Sequence, residues 1–502
     1  MSQSPEDTMT AMPVETVSVS EVPDMIEASP VLVTEPEAQS SSSKKRFSFG
    51  KKKGAAKSAK SEYTGDLMMV MGIYSSLCGI ATVYGDLLPV VEAGVEAAFW
   101  MVIVIGLLFT YSIDLVVIGL RPNETTMLDA IIGDAWPATK LPLQILGQFT
   151  SGWMMILFQW VGFDTNSGIM QAAFCKMYNP ITVSDKTPLS AEQQAFNDFA
   201  NAKNTKSFRN MAIINIFITL LFSAITNPAI FVPLTTLPTY ATILGFIAVI
   251  WWVSKNTTHE SLQGFKDGWS HKSGNWQTST SAGLTAMFTL VGVIAGNFYL
   301  HSMIQQLVAR AKYPEHNVRN TTIAFMLSII TILFTNFVAA LPFTYYNGTT
   351  AQANQLPTNL ANGMGTAGLI RASNIILWFL SLPIGPFQWA VLRQNTIMII
   401  PWEGSKYAKL KWPCVAVYQV AIVLIGFGIT WAQTPLQIMI QVATFPAAVY
   451  WVCFMPAFFH VWDMTRTPEK RSKWYYWPWV CTDIIVGFIL FFCEIVQFIP
   501  SW

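Results

Sequence analysis

Charge is what this chain has least of. Only 12% of its 502 residues are Asp, Glu, Lys or Arg, about half the share of a soluble chain. The 30 basic residues almost balance the 29 acidic ones. The balance excludes nucleic-acid binding by bulk charge, and the shortage excludes an ordinary cytosolic enzyme. Histidine is also scarce: His259, His271, His301, His316 and His460 are scattered along the chain. No HExxH helix, GxxxxGK loop or Gly-x-Ser-x-Gly elbow is present, so neither catalysis nor a cofactor is expected. The six cysteines, all but Cys175 inside apolar runs, form neither a disulfide ladder nor a CxxC metal site. The first 40 residues carry no Lys or Arg, unlike a secretory signal or a basic mitochondrial presequence.

What replaces charge is apolar surface: 52% of the residues are hydrophobic and 13% aromatic. A hydrocarbon core of about 30 Å takes about 20 residues of helix. Eleven stretches of that kind follow one another at 67–90, 97–120, 141–170, 211–231, 234–253, 282–304, 321–343, 369–392, 413–431, 436–460 and 479–499. The fold class expected is all-α polytopic membrane protein. Its eleven transmembrane helices divide into a five-plus-five inverted repeat, about 67–253 and 282–460, with an appended eleventh helix at 479–499.

Ahead of the membrane domain, 64–500, lies a tail, 1–63, that turns from acidic to basic and has few large apolar groups. Such a composition predicts disorder. Its Lys44–Lys60 cluster suits either a topogenic role or reversible contact with anionic lipid, released by phosphorylation of Ser40–Ser43. With the amino terminus cytosolic, 21 of the 30 Lys and Arg residues fall inside, as the positive-inside rule requires. The sequons at Asn256 and Asn347 then fall outside, and those at Asn123 and Asn320 inside. An integral membrane position in the plasma membrane or a vacuole- or lysosome-like membrane follows.

Transporters built from inverted repeats place their site at paired, interrupted helices, where an unwound turn frees backbone groups for a ligand. The first span has Gly79 and Gly85, and the sixth, five spans later, has Gly292 and Gly296. Backbone around Gly79, Ala81, Thr82 and Gly85, and from Gly292 through Gly296 to Asn297, is the candidate cradle for a zwitterion's carboxylate and amine. Trp153 and Leu157 of the third span and Phe298 of the sixth are candidate pocket walls. Close helix packing explains membrane glycines equally well.

A charge at mid-membrane costs about 2.5–3.5 kcal/mol, so buried ionisable groups are candidates for coupling. Asp86 follows Gly85 directly and suits a proton, a cation or a substrate ammonium, or else the cap of a following helix. Asp114 in the second span and His301 in the sixth could pair as a proton relay, or His301 could be a packing residue at an inner gate.

The order of motifs resembles the amino acid/auxin permease family, a branch of the amino-acid–polyamine–organocation superfamily. Leu87-Leu88-Pro89 with Ala93-Gly94, Phe298-Tyr299-Leu300-His301 with Lys312-Tyr313-Pro314, Ser381-Leu382-Pro383-Ile384-Gly385-Pro386, and Phe445-Pro446-Ala447-Ala448 with Pro456-Ala457 carry the likeness. An ungapped match puts Ile80 and Thr82 on that family's first-span glycines. The resemblance implies a LeuT-type fold and secondary transport of small amino acids or related zwitterions, coupled to H+ or Na+ by alternating access. It also implies Ser381, and secondarily Ser373, as hydroxyl ligands of a sodium site. The partners expected are a small amino-acid-like substrate and the lipid bilayer, with no nucleic acid. The rival expectations are a non-transporting scaffold subunit of a larger assembly and an amino-acid-sensing receptor.

Overall fold

The computed structural model describes residues 65–78, 95–120, 137–178, 189–223, 234, 236–269, 291, 294–301, 303–309, 311–341, 368–382, 406–433, 449–455, 457–458, 461 and 476–496. The chain divides into Met1–Lys60 and Ser61–Trp502, and all described residues belong to the second unit. Every regular element among them is helical.

In chain order these are α1 (Asp66–Leu77), α2 (Val95–Gly119), α3 (Pro137–Phe174), α4 (Ala191–Ser223), α5 (Leu237–Asn256) and α6 (His259–Trp269). Then come α7 (Ile304–Val308), α8 (Asn317–Ala340), α9 (Gly368–Ser381), α10 (Lys411–Ala432), a π-helix at Val449–Phe454, and α11 (Tyr476–Val496). Five helices among the described residues are long and apolar enough to cross a membrane: Ala98–Ile118, Leu141–Phe174, Leu237–Asn256, Pro314–Thr335 and Ala408–Ala432. The chain is a multi-pass helical membrane protein.

Helix α4 begins 20 residues before the apolar run at 211 that marks it in the sequence. Its polar first half is helical because Ser190 and Gln193 cap it reciprocally. The Ser190 N–H donates to Gln193 Oε1 at 2.9 Å and the Gln193 N–H to Ser190 Oγ at 3.3 Å, which satisfies donors that a helix start leaves open. Helix α6 is a second element that apolar length does not reveal. It is short and amphipathic and packs beside α2, and its Phe265 is set edge-on against Phe337 of α8.

Helices α2 and α8 pack along each other, as do α3 with α10, α5 with α9, and α1 with α8. The α3–α10 seam is close because Gly426 faces the backbone of α3. A Cβ there would lie 3.0 Å from Gln159 Cβ and 3.2 Å from the Trp160 nitrogen, whereas a Cβ at Gly428 meets nothing within 4 Å. Gly426→Leu is therefore expected to lower stability by about 1–3 kcal/mol through overpacking. Gly428→Leu on the same helix should be neutral, as thermal unfolding of the two variants in detergent will show.

Candidate functional site

Helix α1 stops at Leu77, and Cys78 leaves helical geometry with φ −104° and ψ 58°. This end is tied to α5: the Thr242 hydroxyl donates to Cys78 O at 2.7 Å, fully buried. Two further bonds tie α1 to α8, Tyr74 to Thr331 at 2.9 Å and the Cys78 thiol to Ser328 O at 3.7 Å. The first span's candidate residues Gly79, Ala81, Thr82, Gly85 and Asp86, and Gly292 of the sixth, lie outside the described residues.

Among its described residues the sixth span is interrupted beyond Gly296. Residues 294–298 are helical, Gly296 and Asn297 included, and regular helix resumes only at Ile304. Between them the Tyr299 N–H reaches Gly296 O in a tight 3.4 Å turn, and the Met303 and Ile304 N–H groups both converge on Leu300 O at 2.9 Å. The interruption is held by side chains rather than by glycine freedom. Phe298, fully enclosed, stacks on Phe325 of α8 and tilts against Phe109 of α2 at 6.5 Å each. Tyr299 meets Phe158 of α3 at 6.4 Å, and His301 sits edge-on to Phe109 at 5.6 Å. α7 beyond the interruption contacts both α1 and α2.

The Asp114–His301 pair does not form. His301 Nε2 lies 3.1 Å from Ser112 Oγ, while Asp114 Oδ2 accepts the Thr322 hydroxyl of α8 at 2.8 Å. Residues two apart on a helix point about 200° apart, so with Ser112 turned to His301, Asp114 must face elsewhere. From α3, Phe158 reaches the interruption, whereas Trp153 stacks on Phe149 at 6.0 Å. Leu157 is buried in the same apolar cluster as Phe298.

Ser381 has protein partners of its own. Its hydroxyl lies 3.1 Å from Asn166 Oδ1 and 2.9 Å from Trp378 O. The neighbouring Trp378 indole donates to Asn215 Oδ1 at 3.1 Å, and the Asn215 amide donates to Ser167 Oγ at 3.1 Å. This polar seam joins α3, α4 and α9. One turn back on α9, the buried Ser373 hydroxyl and both amide atoms of Asn374 have no hydrogen-bond partner among the described residues.

Sequence reasoning passed over Asp66, which gathers the start of α8 around the start of α1. Asn320 Nδ2 donates to Asp66 Oδ1 at 3.0 Å, and Arg319 Nη2 and His316 Nδ1 approach Oδ2 at 3.0 and 2.9 Å. Asn320 is thereby a buried bracing residue inside a helix, not an exposed sequon. The amide bond from Asn320, with the neighbouring His316 and Arg319, holds the Asp66 carboxyl below the usual carboxylate range despite partial desolvation. A depressed carboxylate stabilises the fold above its unfolded value of about 4. That contribution is lost as pH falls through the lower folded value, so the clasp should be closed throughout the neutral range. Asp66→Asn is expected to speed amide exchange over residues 66–70 at pH 7. Unchanged exchange there would show that the carboxylate does not hold α1.

Among the described residues no three His, Cys, Asp or Glu side chains gather where a metal could sit. No protein-family model matches the chain, and no curated protein matches it.

Proposed function

We propose that the chain is a secondary active transporter of small amino acids or related zwitterions, built as eleven membrane helices with an inverted five-plus-five repeat. The observation that supports the reading best is the pattern of helix contacts. Under an inverted repeat, a contact between spans i and j+5 has a counterpart between j and i+5, because a pseudo-two-fold axis exchanges the halves. Counting 294–308 as the sixth span and the π-helix as part of the tenth, four spans touch their own counterparts: α1 with α7, α2 with α8, α3 with α9, and α4 with α10. Three further contacts come in exchanged pairs: α1–α8 with α2–α7, α5–α9 with α3–π, and α5–α8 with α2–π. The α3–α10 contact has no counterpart of similar extent among the described residues.

Under this reading the end of α1 at Cys78 and the interruption at Tyr299–Met303 face the substrate. The backbone of Gly79–Gly85 completes the cradle, and Asp86 or His301 accepts the coupling ion. The Asp66 clasp then lies at the cytosolic mouth, and the tail is cytosolic.

The test is ligand-dependent unfolding of the purified chain against a panel of amino acids, polyamines, sugars and nucleosides. A ligand at 100 times its Kd stabilises by about 2.7 kcal/mol, so one small amino acid or a few should raise the unfolding midpoint and the other classes should not. A chain that no zwitterion stabilises is better read as a scaffold subunit.

A further inference from the structure

Along α7 and the turn before it runs a line of buried polar atoms without protein partners. His301 uses Nε2 on Ser112, and its Nδ1 has no hydrogen-bond partner among the described residues. Four residues on, Gln305 is 2% exposed and neither its Nε2 nor its Oε1 is paired among the described residues. The Ile304 N–H to Leu300 O bond shows that the chain is already coiled here, so His301 and Gln305 sit on one side, a turn apart. At the next turn Asn317 donates its amide to Val308 O at 3.4 Å, and its Oδ1 is buried and unpaired. His316 follows, 37% exposed, with Nδ1 on Asp66.

Each buried polar atom left without a partner costs about 1–3 kcal/mol, so four of them, on the turn before α7, on α7 and at the start of α8, mark a place for a hydrogen-bonding ligand. The spacing identifies it. A helical turn rises about 5.4 Å, which is spanned by one water making two hydrogen bonds of about 2.8 Å.

We propose that His301, Gln305 and Asn317 hold a file of water molecules, and that this file carries the coupling proton between the His301 imidazole and the Asp66–His316 pair. The proposal rests on the transport reading above. A proton entering at His316 passes along the file as each water accepts one proton and releases another. It ends as an N–H bond on His301 Nδ1, and the reverse sequence releases it. Gln305 carries no proton: its amide accepts from one water and donates to the next, which makes it a positioning residue. Among the described residues the titratable and charged groups around the path are Asp66 on α1, Glu315, His316 and Lys312 before α8, and Arg319 on α8. On α2, Asp114 is turned to Thr322, and Lys312 lies over the Tyr313 ring at 5.2 Å.

The experiment uses the full chain in liposomes, wild type against Gln305→Leu, with Gln305→Asn as the variant that keeps the amide. Water is probed directly by radiolytic hydroxyl footprinting, and coupling by comparing proton-gradient-driven uptake with counterflow of a twenty-amino-acid panel. In the wild type, His301 and Val308, which lie on the side of Gln305, should be oxidised despite their burial, and in Gln305→Leu that oxidation should fall. Gradient-driven uptake should fall by about tenfold, as expected for the loss of one hydrogen-bonded link, while counterflow stays near wild type. Gln305→Asn should keep both. Protection of His301 and Val308 in the wild type overturns the proposal, as does gradient-driven uptake that Gln305→Leu leaves unchanged. Oxidised His301 and Val308 without counterflow of any amino acid would leave the water file standing and remove the transport reading instead.

Discussion

Asn215→Leu is expected to destabilise the protein more than any surface change, by about 2–4 kcal/mol if each of two buried partners is left unpaired. Asn215 stands between three helices. Its Oδ1 accepts from the Trp378 indole of α9, and its amide donates to Ser167 of α3. Leucine keeps its branched shape but strands a buried indole N–H and a buried hydroxyl. Polar bonds between membrane helices are worth about 0.6–2 kcal/mol each, so the lower end applies if Ser167 turns to its own backbone. Unfolding in mixed micelles measures the loss. Trp378→Phe, which removes only one donor, should recover about half of it; equal losses would mean that ring packing, not the hydrogen bond, carries the seam.

The second large effect is expected at Thr242. Thr242→Val keeps the side-chain shape but removes the hydroxyl that donates to Cys78 O, where α1 ends. Losing that bond loosens the end of α1 from α5. Cys78 is fully enclosed, so the change can be read from its thiol. With the other five cysteines replaced by serine, alkylation of Cys78 should accelerate by about tenfold or more, corresponding to about 1.4 kcal/mol of lost closure. Ligand-induced stabilisation should weaken in step. Unaltered alkylation would show that the end of α1 is held by Tyr74 and the α8 contacts instead.

The membrane helices were legible in the sequence because apolar length is a local property. α2, α5, α8 and α10 begin and end within four residues of the runs that announced them. The extension of α4 was not, because hydropathy is silent over a polar helix, although the Ser190–Gln193 cap was in the sequence to be read. A break in the sixth span was expected at Gly292 and Gly296; Gly292 lies outside the described residues, Gly296 is helical, and an interruption stands at Tyr299–Met303. Its cause is tertiary: rings at 109, 158 and 325 fix Phe298, Tyr299 and His301 from three other helices. No inspection of 292–304 alone supplies that. The Asp114–His301 relay failed on helical period once Ser112 took the imidazole. The Asp66 clasp joins residues about 250 apart in sequence, beyond the reach of motif spacing.

A secondary transporter carries its solute across the membrane through this chain alone. The most direct measurement is counterflow: the purified chain in liposomes loaded with one unlabelled amino acid, with the labelled form outside at trace concentration. The expected result is transient accumulation of label above equilibrium, seen only with the amino acids that stabilise the chain against unfolding and abolished when Thr242→Val loosens the end of α1. Ligand-stabilised protein that shows no counterflow for any of those amino acids would contradict the transporter reading and leave a receptor in its place.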